Sequence, residues 1–398
     1  GRNDRALQAL YGDLAYRVLA ALFPPAPIAT PPRPEEKIRI GFVSGFFRRH
    51  SNWKMPIKGW LSQLDRSRFR VFGYHTGADR DADTDEAAAR CERFVQGPLS
   101  IADWRNAILA DAPHVLIYPE VGMDPMAARL AALRLAPVQC NSWGHPDTSG
   151  FQTLDYFLSS DLMEPPEADA HYTERLVRLP NLSVFCEPAD APPSPLSRAE
   201  LGMRESAVAF WCGQSVFKYL PQHDAALTRI AQAVPDSQFV FIAFSRLPRA
   251  TERFRHRMSE AFERAGLDAD RHCLFLPRLD GRRFIAASGL CDIVLDSIGW
   301  SGCNSTLESL PHDLPIVTVE GPLMRGRHSG AILRMMNVTE TIAADIDGYV
   351  AVATRLARDA AFRRHVKERM AAGKHLVYRD RECIRALEAF LEQAARSG

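Results

Sequence analysis

Residues 291–331, CDIVLDSIGWSGCNSTLESLPHDLPIVTVEGPLMRGRHSGA, hold the residue types best suited to gripping an anion. The apolar run 291–295 predicts a buried parallel strand. The loop Gly299-Trp300-Ser301-Gly302-Cys303 follows, and its two glycines permit a tight turn and close approach of backbone to ligand. Asn304, Ser305 and Thr306 then open a helix, small polar residues ahead of Leu307 and Leu310. Strand, glycine loop and helix start together present unpaired N–H groups and a positive dipole end, which suits a diphosphate. Glu308 lies one turn deeper on the face of Asn304, where a carboxylate can hold both hydroxyls of a ribose. A second strand at 315–319 and the cluster Arg325-Gly326-Arg327-His328 complete the stretch. The pattern points to a sugar-nucleotide site, although any α/β crossover contains a loop of this kind.

Such a site needs a parallel sheet to carry it. Strand-like runs at 38–44, 69–75, 114–118, 137–141 and 154–159 alternate with helical segments near 55–64, 84–94, 101–110 and 125–133. A second series has strands at 207–212, 238–244, 273–277, 292–295 and 316–319, with helices near 225–233, 251–265, 282–287 and 305–310. Helical segments at 346–373 and 380–395 close the chain. The run EPADAPPSPLSRA at 187–199 reads as an interdomain linker. At the front, Leu7, Leu10, Tyr11, Leu14, Val18, Leu19 and Leu22 share one helical face, ahead of a proline-rich segment at 23–34. The expected fold is α/β: two Rossmann-like doubly wound domains with a cleft between them, an N-terminal helix and C-terminal helices. The expected division is 1–34 for the helix and linker, 35–187 and 206–372 for the two domains, 188–205 between them, and 373–398 for the last helix.

Composition narrows the function classes. The 398 residues suffice for two cored domains. With 49 basic and 48 acidic residues the net charge is +1, so overall charge offers no reason to bind nucleic acid or an anionic membrane. Eight scattered cysteines without a C-x-x-C pair argue for a reducing, cytoplasmic compartment and against a zinc site. No apolar run reaches the ~18 residues of a membrane span. A chain opening on Gly1, with an amphipathic helix first, is expected to follow further helical sequence in the full protein, although a simple N-terminal cap is equally allowed.

Three blocks carry a resemblance: IRIGFVSGFFRRH at 38–50, RLAPVQCNSWGHPDTSG at 134–150 and LDYFLSS at 154–160. With Phe217-Lys218 and the 304–308 helix start, they resemble, in order, the bacterial catalytic region of the protein O-GlcNAc transferase (SPINDLY-like) family. The resemblance spans about residues 37–345 and is most specific at 134–150. It implies an inverting, metal-independent glycosyltransferase of the two-Rossmann (GT-B) type, a UDP-sugar donor, a protein side-chain hydroxyl as acceptor, and tetratricopeptide repeats upstream. No cofactor or metal is expected beyond the donor.

Residue by residue, the resemblance implies that Lys218 contacts the donor diphosphate and offsets charge on the leaving UDP. Gln214 or Ser215 matches the neighbouring polar position, Asn304 and Ser305 stand for two threonines, and Glu308 for the ribose aspartate. Cys303 replaces a histidine of the animal enzymes, and Phe284 falls near the base-stacking histidine. His50 matches the histidine facing the reaction centre, and Asp111 and His114 match a second polar pair. The run Glu120-Val-Gly-Met-Asp124 departs from the family loop and sets two carboxylates after a strand, at the ligand end of an α/β sheet. Glu120 or Asp124 can be the general base, bind sugar hydroxyls, or simply solvate a turn. His145 replaces a tyrosine.

Two other signals are bland. The acids of DRDAD at 79–83 lie in a charged loop, and the basic run 246–257 reads as an exposed helix face. Two alternatives to the transferase stay open: a related enzyme, transferase or epimerase, acting on a small molecule or glycan, and a nucleotide-sugar-binding module that has lost catalysis.

Overall fold

The structure is a computed structural model that describes residues 2–189, 196–245 and 247–397. It divides into two compact units. The first comprises residues 2–186 and returns for 379–398; the second comprises residues 187–378. The C-terminal helix therefore belongs with the N-terminal sheet, and part of the expected linker, residues 190–195, lies outside the described residues.

In the first unit the strands are β1 (Ile38–Ser44), β2 (Phe69–His75), β3 (Arg93–Gln96), β4 (Val115–Tyr118), β5 (Val138–Ser142), β6 (Tyr156–Ser160) and β7 (Arg175–Leu179). They form one parallel sheet in the order β3-β2-β1-β4-β5-β6-β7. The continuous apolar runs follow from burial on both faces. Ile38, Ile40 and Phe42 of β1 pack on one side with Trp60, Val71 and Ile117. Val43 packs on the other with Tyr74, Leu116 and Tyr118. The C-terminal helix Glu382–Ser397 lays Cys383, Ile384, Leu387, Leu391 and Ala394 onto the first of these faces, a helical stripe that closes the core. Its Glu388 accepts the Asp65 N–H and pairs with Arg68.

The second unit has β8 (Val208–Ser215), β9 (Ser237–Ile242), β10 (Cys273–Leu276), β11 (Ile293–Leu295), β12 (Ile316–Val319) and β13 (Ile342–Ala343). Their order is β10-β9-β8-β11-β12-β13, again all parallel. Each sheet starts in its middle and reverses direction, between β1 and β4 in one unit and between β8 and β11 in the other. At such a point the two flanking loops diverge and leave a crevice beyond the strand ends. Three strands have no clear apolar run in the sequence. β3 and β7 are half-exposed edge strands, and β13 is two residues long. The helix expected over 346–373 breaks at Asp359, whose carboxylate caps a new helix by accepting the Phe362 N–H.

The N-terminal helix, Arg5–Leu22, is anchored by backbone contact. Its Gly12 meets Gly150, whose φ is +76°, and a Cβ at Gly150 would fall 1.9 Å from the Gln8 carbonyl oxygen. Leu19 enters the core, while Leu7, Leu10, Tyr11, Leu14, Val18 and Leu22 stay 52–71% exposed. Gly150→Ala is expected to lower stability by more than about 1 kcal/mol, through both strain and clash. Chemical denaturation checks this, and an unchanged midpoint would show that the helix is not packed as described.

Candidate functional site

In the second unit the ligand end of the sheet is built around a carboxylate. Asp296 follows β11 directly and is buried. Its Oδ1 accepts the Gly302 N–H at 2.7 Å and the Gln214 amide at 3.3 Å. Its Oδ2 accepts the hydroxyls of Ser301 at 2.6 Å and Thr318 at 2.7 Å. One side chain thus ties together the loop after β11, the end of β8 and β12. Burial raises the Asp296 pKa, and the donors around it act in the opposite direction. Ser329 fastens the loop from another side, donating its N–H to Ser301 Oγ and its hydroxyl to the Gly302 carbonyl. Gly302 has no room for a side chain: a Cβ would lie 2.6 Å from Ser305 Oγ and 2.7 Å from Gln214 Nε2. Gly299 supplies the left-handed turn, with φ +86°.

The helix Asn304–Ser309 begins where expected, with Cys303 at its cap position. The Leu307 N–H is bonded back to Cys303 O, so the N–H groups of Asn304, Ser305 and Thr306 precede the helix's own ladder. The Thr306 hydroxyl is spent internally, donating to Gly302 O and sharing a contact with Ser329 Oγ. Asn304, Ser305 and Glu308 are half-buried on this helix. Gln214 holds Asp296 and accepts from the Tyr219 hydroxyl at 2.8 Å, which ties it into the loop. Ser215 ends β8 in register with Ile242.

Lys218 sits in the short turn Val216–Lys218 after β8, its Nζ 5.8 Å from the centre of the Trp300 ring. Burial depresses its pKa, and Asp296 and Cys303 partly restore it. His328 is buried nearby; burial first, and the Lys218 charge second, push it down to about 3, so it is neutral. Phe284 packs edge-on against Trp211, ring centres 5.0 Å apart, and lies over Gly213.

In the first unit, Glu120 follows β4 and is 1% exposed, with neither oxygen hydrogen-bonded. Burial pushes it up to about 8; the Ser44 hydroxyl and Gly45 amide favour ionisation from outside bonding geometry, and the Asp124 charge opposes it. Asp124 differs. It caps the helix Pro125–Ala131, accepting the Ala127 N–H at 2.7 Å and the Thr76 hydroxyl at 2.6 Å. Of the two acids, Glu120 alone is uncommitted. His50 stacks on Phe46, ring centres 4.2 Å apart, and its Nδ1 accepts the Asn52 N–H. His145 lies against Gly122, where a Cβ would be 2.8 Å from its Cδ2.

Asp111 and His114 belong elsewhere. Asp111 accepts from Tyr74 and Arg93. His114 accepts the Arg39 N–H, and burial and Arg39 push its pKa down to about 4. Both stand at the start of β4, the end opposite Glu120, and are structural. Sequence reasoning passed over Asp296, Trp300 and Asn141. The last is buried on β5 with both amide atoms unpartnered. The available signal for Asp296 was an acid directly after a buried strand and ahead of a Ser-Gly turn. Among the described residues, no group of His, Cys, Asp and Glu is placed to hold a metal.

The buried acid makes a stability prediction. Glu120 keeps its proton up to about pH 8 when folded, but loses it above the ordinary glutamate value of 4.5 when unfolded. The folded state then binds more protons in that window, so its contribution falls as pH rises from 4.5 to 8. Glu120→Gln is expected to flatten this slope, gaining up to about 1.4 kcal/mol per pH unit on the native protein. Urea denaturation of both proteins at pH 5 and pH 8 measures the difference; parallel slopes would place an ionised, solvated carboxylate here.

Comparison with known proteins bears on the family and the fold. The model of glycosyl transferase family 41 matches residues 26–191 and 187–377. The probable UDP-N-acetylglucosamine–peptide N-acetylglucosaminyltransferase SPINDLY of Solanum lycopersicum is 28% identical over 82% of the chain. The corresponding SEC protein of Arabidopsis thaliana is 24% identical over 75%. The chain spans only 35% and 30% of those two relatives. A mutant O-GlcNAc transferase from Thermobaculum terrenum superposes with a TM-score of 0.85 at 26% identity, covering 99% of this chain and 74% of that one. Two doubly wound sheets, a carboxylate-braced loop beyond β11 and a family match along nearly the whole length lead to one conclusion: the chain belongs to glycosyl transferase family 41.

Proposed function

We propose that this chain is the catalytic part of a glycosyltransferase that moves a hexose or N-acetylhexosamine from a UDP-sugar to a protein side-chain hydroxyl, with inversion and without a metal. The observation that carries the reading is the loop 296–306, braced by Asp296 and approached by the Lys218 ammonium, within a family 41 chain. In this reading the donor diphosphate rests against the N–H groups of Asn304–Thr306, with Cys303 and Ser305 flanking it. Lys218 offsets the charge that grows on the leaving UDP. Desolvation makes that charge more effective than it would be in water. Glu308 receives the ribose hydroxyls, and Phe284 offers an aromatic edge to the base.

The acceptor proton is assigned to the first unit. Glu120 is a buried carboxyl whose pKa lies near working pH, which is where a general base is most effective. His50 is the competing base. Asp124 keeps the loop in place by capping its helix. The exposed apolar stripe of the N-terminal helix supports a preceding helical-repeat domain as its cover. Eight cysteines scattered without a C-x-x-C pair support a reducing, cytoplasmic setting, and no helix among the described residues is long and apolar enough to cross a membrane.

Lys218→Ala should reduce turnover on the order of 10²-fold or more while leaving the unfolding transition in place. Donor turnover with an acceptor peptide measures it, and full activity would remove Lys218 from the mechanism. The pH profile separates the bases. With Glu120 as base, kcat/KM rises through about pH 8 and Glu120→Gln abolishes that limb. With His50 as base, the limb survives Glu120→Gln.

A further inference from the structure

Asn141 stands one residue from the end of β5 and is fully buried. Its register partner on β4 is Tyr118, so it shares the sheet face that carries Val43, Leu116 and Tyr118. Gln139, two residues earlier on that face, bears the same amide group. Its Oε1 accepts the Leu135 N–H at 2.8 Å, and its Nε2 donates to the Leu133 and Thr153 carbonyls at 3.0 and 2.8 Å. Asn141 has no such set: among the described residues neither its oxygen nor its nitrogen has a hydrogen-bond partner. Ser142, the next residue, is satisfied, donating its hydroxyl to the Leu158 carbonyl at 2.9 Å. Beyond the neighbouring strand, Glu120 has both oxygens unpartnered, and so is the Tyr118 hydroxyl. The backbone holds these two strand ends together. Gly144 donates its N–H to Pro119 O at 2.9 Å, and a Cβ there would lie 3.1 Å from the Glu120 Cβ.

A buried amide without partners destabilises a fold, because folding strips its water and puts nothing in place of it. A leucine of nearly the same shape would be more stable at this position. At the ligand end of a doubly wound sheet, unpaired groups are available to a ligand whose bonds recover what folding lost. Their chemistry narrows its class. A carboxamide sets N–H donors beside a C=O acceptor, and a protonated carboxyl sets O–H beside C=O. Burial keeps Glu120 in that uncharged form up to about pH 8. Such groups match a hydroxyl, which both donates and accepts, and carry no charge to hold a phosphate or an ammonium. Resting on the transferase reading above, we propose that Asn141 binds a substrate hydroxyl beside Glu120. The hydroxyl belongs to the transferred sugar or to the acceptor side chain, and Asn141 sets its position relative to the Glu120 carboxyl.

Asn141→Leu tests this in the whole chain, by urea denaturation and by kinetics with UDP-N-acetylglucosamine and an acceptor peptide. The variant should raise the urea midpoint, since two unpaired amide atoms are gone. It should lower transfer kcat/KM about tenfold, the worth of one neutral hydrogen bond. UDP affinity, read by calorimetry, should stay within about twofold, because UDP carries neither hydroxyl. Donor hydrolysis without peptide tells the two sources apart: it falls with transfer if the sugar is bound, and holds if the acceptor is. Unchanged transfer would overturn the proposal, and so would an equal loss of UDP affinity. A lowered midpoint would overturn it too, showing an amide already satisfied by an enclosed water. If Asn141→Leu does not fold, the same-shape pair Asn141→Thr and Asn141→Val decides by kinetics. Asn141→Thr keeps a donor and an acceptor and should transfer severalfold faster than Asn141→Val, whereas equal rates would sink the idea. A wild-type chain that transfers no sugar to peptide would overturn the transferase reading itself, while a failure confined to the Asn141 variants leaves that reading standing.

Discussion

A buried carboxylate is the interaction on which the loop after β11 depends. Taking Asp296 out of water is expensive, and it is tolerated because four donors converge on its two oxygens. The same bonds do the structural work. A loop of Gly299, Trp300, Ser301 and Gly302 has little side-chain packing of its own and would otherwise sample many conformations. Held at Ser301 and Gly302 by Asp296, and again by Ser329, it becomes a fixed rim from which the next helix starts. The Tyr349 hydroxyl bonds the Asp296 carbonyl and fixes the backbone beneath it. A preorganised rim is what a diphosphate site needs, since amides that must first be ordered lose part of their binding energy to that ordering.

The first unit uses burial in the opposite way. Glu120 has no set of donors, so its carboxyl stays protonated well above its ordinary range. Four residues later Asp124 occupies the same loop with a helix N-terminus and a threonine hydroxyl to satisfy it. Two carboxylates in one short run thus have separate chemistry, one available to exchange a proton and one locked into architecture. Close backbone approaches fix the geometry around them. Gly45 leaves space for the Asp124 side chain, and Gly144 bonds Pro119 O while lying against the Glu120 Cβ.

Most of the fold was legible because burial on both faces writes long apolar runs, as in IRIGFVS of β1 or FRVFGYH of β2. The edge strands β3 and β7 were not, since one side of each meets solvent and the run is diluted with arginine. The 291–310 stretch was legible as strand, loop and helix because glycine and small polar residues mark those transitions. What spacing could not supply was partnership. Nothing in the order of residues says that Gln214 and Asp296, 82 positions apart, share a hydrogen bond, or that the Thr306 hydroxyl turns inward to Ser329. Likewise Glu120 and Asp124 were equivalent on the page, and only three-dimensional contacts with Ala127 and Thr76 tell them apart.

That distinction between backbone and side chain bears on how far the loop can vary while keeping its task. Backbone N–H groups are supplied by any residue except proline, so the first turn of the 304–309 helix can offer its amides whatever side chains it carries. The positions that cannot vary are those that set the backbone: Gly302, with no room for a Cβ, and Asp296, whose oxygens take the amide and hydroxyl that aim it. Cys303 at the cap makes no capping bond with its side chain, so the helix start does not depend on it. A site read through amides does not depend on which small polar side chains Asn304 and Ser305 carry. Cations are the exception, because charge, unlike an N–H, is not supplied by the backbone.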